Sequence, residues 1–157
     1  MEASTIVKAL KEKGRVTLQE GGGRLVNLIM PEEFHPGKDQ ENAIFLLADL
    51  FQIRSVAGQY SEVALDIVEY ATKPTVYTTK ASPLLVNKPK SGDEVKFSLI
   101  KRGFWHQVIF GVGRPILFQE VKQAEGEVEV VKENFPLYQG NVKRLFLGPD
   151  GQVKIGG

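Results

Sequence analysis

Cysteine is absent from the 157-residue chain. Disulfides, thiolate zinc sites and cysteine nucleophiles are therefore excluded together. Histidine is scarce: His35 and His106 are the only two, and neither has a second histidine three or four residues away. A zinc site takes three or four N, S or O ligands. His35 with Glu32 and Glu33 reads instead as a solvated loop around a turn proline, and no metal or cofactor is expected. Long apolar runs are also missing. None approaches the ~18 residues of a membrane span. The opening "MEASTIVKALKEKG" is broken by Glu2, Lys8, Lys11, Glu12 and Lys13, unlike the apolar stretch of a signal peptide. No membrane association and a cytoplasmic location are expected. Net charge is only +1, so no overall field recruits a polyanion. Ser61, Ser82 and Ser98 lie outside any G-x-S-x-G setting, which leaves a serine triad without support.

The remaining composition is that of an ordinary globular protein, with 42% apolar and 25% charged residues. The length suits one compact domain, and residues 1–157 are expected to form one. Residues 4–13 read as an amphipathic helix with Ile6, Val7 and Leu10 on one face and Gly14 ending it. "RVTLQE" alternates as a half-buried strand does, and "RLVNLIM" has the continuous apolar character of a central one. Residues 39–52 read as a helix, because Ile44, Leu47, Ala48 and Phe51 fall at i, i+3, i+4 and i+7. Residues 61–71 read as another, stopped by Pro74.

After residue 74 the period changes from 3.6 to two. "TVYTT", "PLLVN", "RPILFQEV" and "EGEVEVVKE" read as strands. "DEVKFSLIKRGFWHQVIFGVG" reads as a hairpin turning at Lys101, Arg102 and Gly103. "VKRLFLGPDGQVKI" reads as a second hairpin around Pro149, Asp150 and Gly151. The expected class is α+β. Its helices lie mainly in the N-terminal half and cover one face of a mixed, mostly antiparallel sheet from the C-terminal half.

Two stretches carry possible chemistry. "EGGGR" places Gly21, Gly22 and Gly23 before Arg24. It is either a plain hairpin turn or a loop that binds an anion through backbone N–H groups, with Arg24 as the cation. No helix follows it, as a phosphate loop requires, and "GVGRP" fails the same test. "KRGFWHQVIFGVGR" interleaves Lys101, Arg102 and Arg114 with Phe104 and Trp105. That mixture suits single-stranded nucleic acid, with cations for phosphates and rings for bases. It also suits a hairpin with aromatic cross-strand packing, in which Trp105 is core. The basic run "NKPK" at residues 87–90 could line the same edge.

The segments "KALKEKGRVTLQE", "RLVNLIMPEEF" and "ENAIFLLADLFQIRSVAG" resemble the opening of dihydroxybutanone-phosphate synthase, whose fold is shared with YrdC-type threonylcarbamoyl-adenylate synthases. The resemblance covers about the first third of the chain and implies a helix ending in glycine, a strand, an active-site loop, Leu28-Ile29-Met30, an acidic pair at Glu32 and Glu33, a helix, and a second strand at Ile53 to Ala57. The synthase fills that loop with carboxylates, whereas this chain has Glu20, three glycines and Arg24. "GQYSE" at residues 58–62 has Gln59 where that family's proton-shuttling motif has histidine. "KPTVY", "KASPLLV" and "GFW" echo YrdC elements in order, without the Ser-Ala-Asn element. The expected function is therefore a non-catalytic binding module for an anionic ligand: a nucleotide, a phosphorylated metabolite or RNA. Arg24, Lys101, Arg102, Trp105 and Arg114 are the candidate contacts. The alternative is an enzyme of the YrdC or dihydroxybutanone-phosphate synthase class with a rearranged site.

Overall fold

A computed structural model describes residues 1–39, 42–85, 89, 92–137, 142–148 and 150–156. Nine strands form one mixed sheet. In chain order they are β1 (Arg15–Gln19), β2 (Leu25–Ile29), β3 (Ile44–Leu47), β4 (Thr75–Lys80), β5 (Glu94–Leu99), β6 (Ile116–Val121), β7 (Glu129–Val130), β8 (Lys143–Leu147) and β9 (Val153–Ile155). Their spatial order is β7-β1-β2-β6-β3-β5-β4-β8-β9. The β3–β5, β4–β8 and β1–β7 pairs are parallel and the others antiparallel. The α+β class and the mixed sheet expected from periodicity hold. The sheet, however, draws β1, β2 and β3 from the first half of the chain.

The helices occupy both faces of the sheet. α1 (Ala3–Lys13) and α3 (Gly103–Val112) pack on one, where Ile6, Leu10, Leu28, Leu46, Trp105, Phe118 and Phe135 form a core. α2 (Glu62–Tyr70) and the turn at Leu50–Ser55 cover the other, over Phe45, Leu47, Tyr77, Phe97 and Leu117. The sheet is thus buried on both sides, which is why Leu46 and its neighbours Phe45 and Leu47 are all apolar.

That two-sided burial corrects the helix expected at residues 39–52. Ile44–Leu47 is a central strand paired to β5 and β6. A short apolar run on a doubly covered strand imitates a helical stripe. Asp49 then starts a 3-10 helix, Leu50–Ser55. Its side chain accepts from the Gln52 amide, while Gln52 Oε1 accepts from the Asp49 amide, a reciprocal cap. Phe51, assigned to the buried stripe, is 77% exposed.

The hairpin expected across residues 95–114 is also corrected. β5 ends at Leu99, and α3 runs from Gly103 to Val112. Gly103 at φ 85° swings the chain into the helix, and Gly113 at φ 86° ends it. Trp105, Val108 and Ile109 are buried at i, i+3 and i+4. The β-branched and aromatic content pointed to a strand, and tertiary burial of a helical stripe overrides that preference.

The ends of α1 and α2 and the terminal hairpin hold as read, whereas the strand expected over "EGEVEVVKE" shrinks to Glu129–Val130 and the one over "PLLVN" is not formed at Pro83 and Leu84. Ser61 caps α2 by accepting from the Ala64 amide at 3.1 Å, and Gly14 ends α1 at φ 80°. β8 and β9 form the terminal hairpin. Pro149 of its turn lies outside the described residues, as do residues 87, 88 and 90 of the basic run and the end of "PLLVN". Pro83 and Leu84 of that segment form a turn.

Candidate functional site

The triple-glycine loop is a hairpin turn. The Glu20 amide donates to Arg24 O at 2.9 Å, and the Gly23 amide donates to Glu20 O at 2.8 Å. Gly21 is needed for close approach: a Cβ there would lie 2.2 Å from the Lys132 carbonyl oxygen. Its amide donates to Glu133 O, so the turn is tied to the segment that follows β7.

The two residues bounding the turn make a buried ion pair. Arg24 Nη2 lies 2.9 Å from Glu20 Oε1, with the Glu20 side chain 1% exposed. The Phe135 amide donates to the same oxygen at 3.3 Å. Arg24 also donates to Leu137 O at 3.1 Å and Phe135 O at 3.3 Å, and sits 3.5 Å from Glu120 Oε2. Burial alone would raise the Glu20 pKa. The bonds from Arg24 and the Phe135 amide outweigh it and hold the carboxyl below its ordinary value. Arg24 is thus the clamp that fixes residues 135–137 against the sheet.

Leu137 of that segment lines a cleft of about 600 Å³ on the α1–α3 side of the sheet. Ile44, Val76 and Phe118 line its apolar bed, with Leu137 to one side. Its polar lining residues are Asn42, Gln119, Glu120, Lys122 and Arg144. Among the described residues Lys122 and Arg144 pair with no carboxylate, while Glu120 faces the Arg24 guanidinium. An apolar bed with a few polar groups at its rim is the usual make-up of a small-molecule site, and the cations favour negative charge. A depression of about 550 Å³ over Thr17, Asn27 and Gln119 differs. Its lining mixes Lys13, Arg15, Lys38 and Lys122, which it shares with the cleft, with Asp39, Glu125, Glu127 and Glu129, a balance that gives an anion no preference.

The sequence candidates separate in space. Lys101, Arg102 and Trp105 come together at the start of α3, around a second cavity of about 380 Å³. Lys101 Nζ donates to the Glu69 and Ala71 carbonyls at the end of α2. Burial lowers its pKa, Glu69 opposes that shift and Arg102 adds to it. Trp105 is 5% exposed. Its indole N–H donates to Asn134 O at 2.8 Å, and its ring meets Phe104 and Phe135 edge-on. Arg114 lies beyond the far end of α3, in an ion pair with Glu32. Arg24 lies behind the cleft, holding the lining residues Leu137 and Glu120. The cleft cations were missed because Lys122, just past β6, and Arg144, within β8 next to Lys143, have no aromatic or glycine pattern to mark them. Arg144 becomes conspicuous only when β8 places it beside Val76 of β4.

His35 opens a turn in which its amide donates to Asp39 Oδ2 at 2.8 Å, and His106 Nε2 lies 3.1 Å from the Ala48 carbonyl oxygen. Among the described residues no group of three or more His, Asp or Glu could hold a metal ion, and no helix is long and apolar enough to cross a membrane.

No family model and no curated protein sequence matches the chain. Solved structures match it in fold. Escherichia coli YciO superposes with a TM-score of 0.68 at 12% identity, over 98% of this chain and 88% of that one. Sua5 from P. abyssi gives 0.66 at 11% identity, over 94% of this chain and 51% of that one. A full-length HypF in a phosphate- and nucleotide-bound form gives 0.66 at 12% identity, over 98% of this chain and 28% of that one. The chain therefore spans about half the length of that Sua5 and less than a third of that HypF. At such identities the likeness shows the fold alone. The YrdC-type fold implied by the sequence resemblance stands, and these structures give no support to its dihydroxybutanone-phosphate synthase half.

Proposed function

We propose that this protein is a binding module for a nucleotide-sized anionic ligand, held in the cleft between β6 and β8, and that residues 1–157 act as one domain. The observation that carries the reading is the pairing of an apolar bed (Ile44, Val76, Phe118) with two cations, Lys122 and Arg144, that no described carboxylate neutralises. A heterocycle lies on the bed while its phosphate reaches the cations. A HypF of the same fold takes up phosphate and a nucleotide, which fits a ligand of this class. Glu120 is the one carboxylate among the described cleft residues, and it faces Arg24. No described histidine joins it, so proton transfer at neutral pH has little to draw on, and binding without catalysis is the simpler reading.

Isothermal titration with adenosine monophosphate tests this. Lys122→Ala and Arg144→Ala are each expected to weaken binding about tenfold, the loss of one charge-assisted hydrogen bond of roughly 1.5 kcal/mol or more. Affinity should also fall as salt rises. Undetectable binding by the unmodified protein, or an unchanged constant in the double variant, would sink the proposal.

A further inference from the structure

The cavity at the start of α3 shares no lining residue with the cleft. It lies between the end of α2, the loop joining β5 to α3, and Asn134 and Pro136. Three cations line it: Lys73 from one wall, Lys101 and Arg102 from the other. Among its described lining residues there is no carboxylate. In a chain with 20 basic and 19 acidic residues, three cations around one cavity make a local positive field, although Glu69 at the end of α2 offsets part of the Lys101 charge. Lys101 is also fixed in place, since its ammonium bridges two backbone carbonyls across the cavity mouth. Behind the cations the lining turns apolar, with Tyr77, Phe104 and Trp105.

We infer that this cavity is a second binding site, specific for a phosphate monoester with a small aromatic body. The phosphate dianion meets Lys73 and Arg102 at the mouth, with Lys101 beside it. The ring enters among Phe104 and Trp105, where aromatic edges and faces pack favourably. At about 380 Å³ the cavity is near the lower end of ligand pockets, which start at roughly 300 Å³. That size suits a single aromatic phosphate and leaves no room for a dinucleotide. The inference does not rest on the cleft reading, because the two sites are lined by different residues.

Trp105 is the only tryptophan in the chain and stands in the cavity wall, so its fluorescence reports on this site. Titration with phenyl phosphate should change that fluorescence saturably. Arg102→Ala and Lys73→Ala, both at exposed positions, should each weaken the effect about tenfold while the melting temperature stays put. Lys122→Ala with Arg144→Ala should leave the Trp105 titration unchanged, even if the cleft proves not to bind. Inorganic phosphate should bind at least tenfold more weakly than phenyl phosphate. Equal affinity for the two would overturn the aromatic part of the assignment. The site itself is overturned if phenyl phosphate gives no saturable change, if the change survives in the Arg102→Ala, Lys73→Ala double variant, or if only single-stranded RNA produces it.

Discussion

Trp105→Ala is expected to destabilise the protein by about 3–5 kcal/mol, the range for removing a large aromatic side chain from a packed core. Three losses combine. The indole is almost fully buried, among Ile109, Phe118 and Phe135 of the α1–α3 core. Its edge-on contacts with Phe104 and Phe135, each at 5.0 Å between ring centres, disappear. The Asn134 carbonyl loses its donor. For a domain of this size each kcal/mol moves the melting temperature by roughly 2–4 °C, so thermal unfolding should begin some ten degrees lower. Trp105→Phe keeps most of the volume and should cost less, about 1–3 kcal/mol, chiefly for the orphaned carbonyl. A Trp105→Ala variant that melts with the unmodified protein would place the indole on the surface and refute the packing described above.

Arg24→Ala should be comparably damaging and should carry a pH signature. The substitution strands the Glu20 carboxylate with only the Phe135 amide and the turn, and strips donors from the Phe135 and Leu137 carbonyls. Breaking one side of a buried pair costs about 3–5 kcal/mol. In the unmodified protein the folded pKa of Glu20 is depressed below its ordinary value of 4.5. The stability this carboxylate contributes is therefore fully present above the unfolded pKa and is lost as pH falls through the folded one. Without Arg24 burial prevails and the folded pKa rises above the unfolded value. The variant then binds the proton more readily when folded, and acidification relieves its defect. Chemical denaturation of both proteins between about pH 7 and pH 4 should show the gap narrowing as pH falls. A gap that is constant or widens would mean Glu20 is not the group Arg24 serves.

How much of this could be read from the sequence differs from residue to residue. The hairpin β1–β2 and the helix α2 were legible because alternation, glycine and a serine cap are local signals, and the local and tertiary demands agree there. The strand Ile44–Leu47 was not, since burial on both faces erases the alternation that distinguishes a strand. α3 was hidden by its composition. Phe104, Trp105, Val108 and Ile109 favour strands intrinsically, yet their spacing matches the helical stripe that packs on α1. The basic–aromatic segment read as a hairpin with Lys101 and Arg102 at its tip, whereas its geometry is a loop and a helix start, with Arg114 beyond the far end of that helix. Arg24 stood out beside three glycines, although its engagement with residues 135–137, more than a hundred positions away, is a product of topology. The cleft cations left no local mark at all. Lys122 and Arg144 are 22 positions apart and meet around one cavity only because β8 joins the sheet beside β4.

The cleft assignment is tested most directly by a crystal structure of the protein grown with adenosine monophosphate. The account predicts the base over Ile44, Val76 and Phe118, with the phosphate within hydrogen-bonding reach of Lys122 and Arg144. A cleft left empty at saturating nucleotide, or a phosphate bound away from both cations, would contradict it.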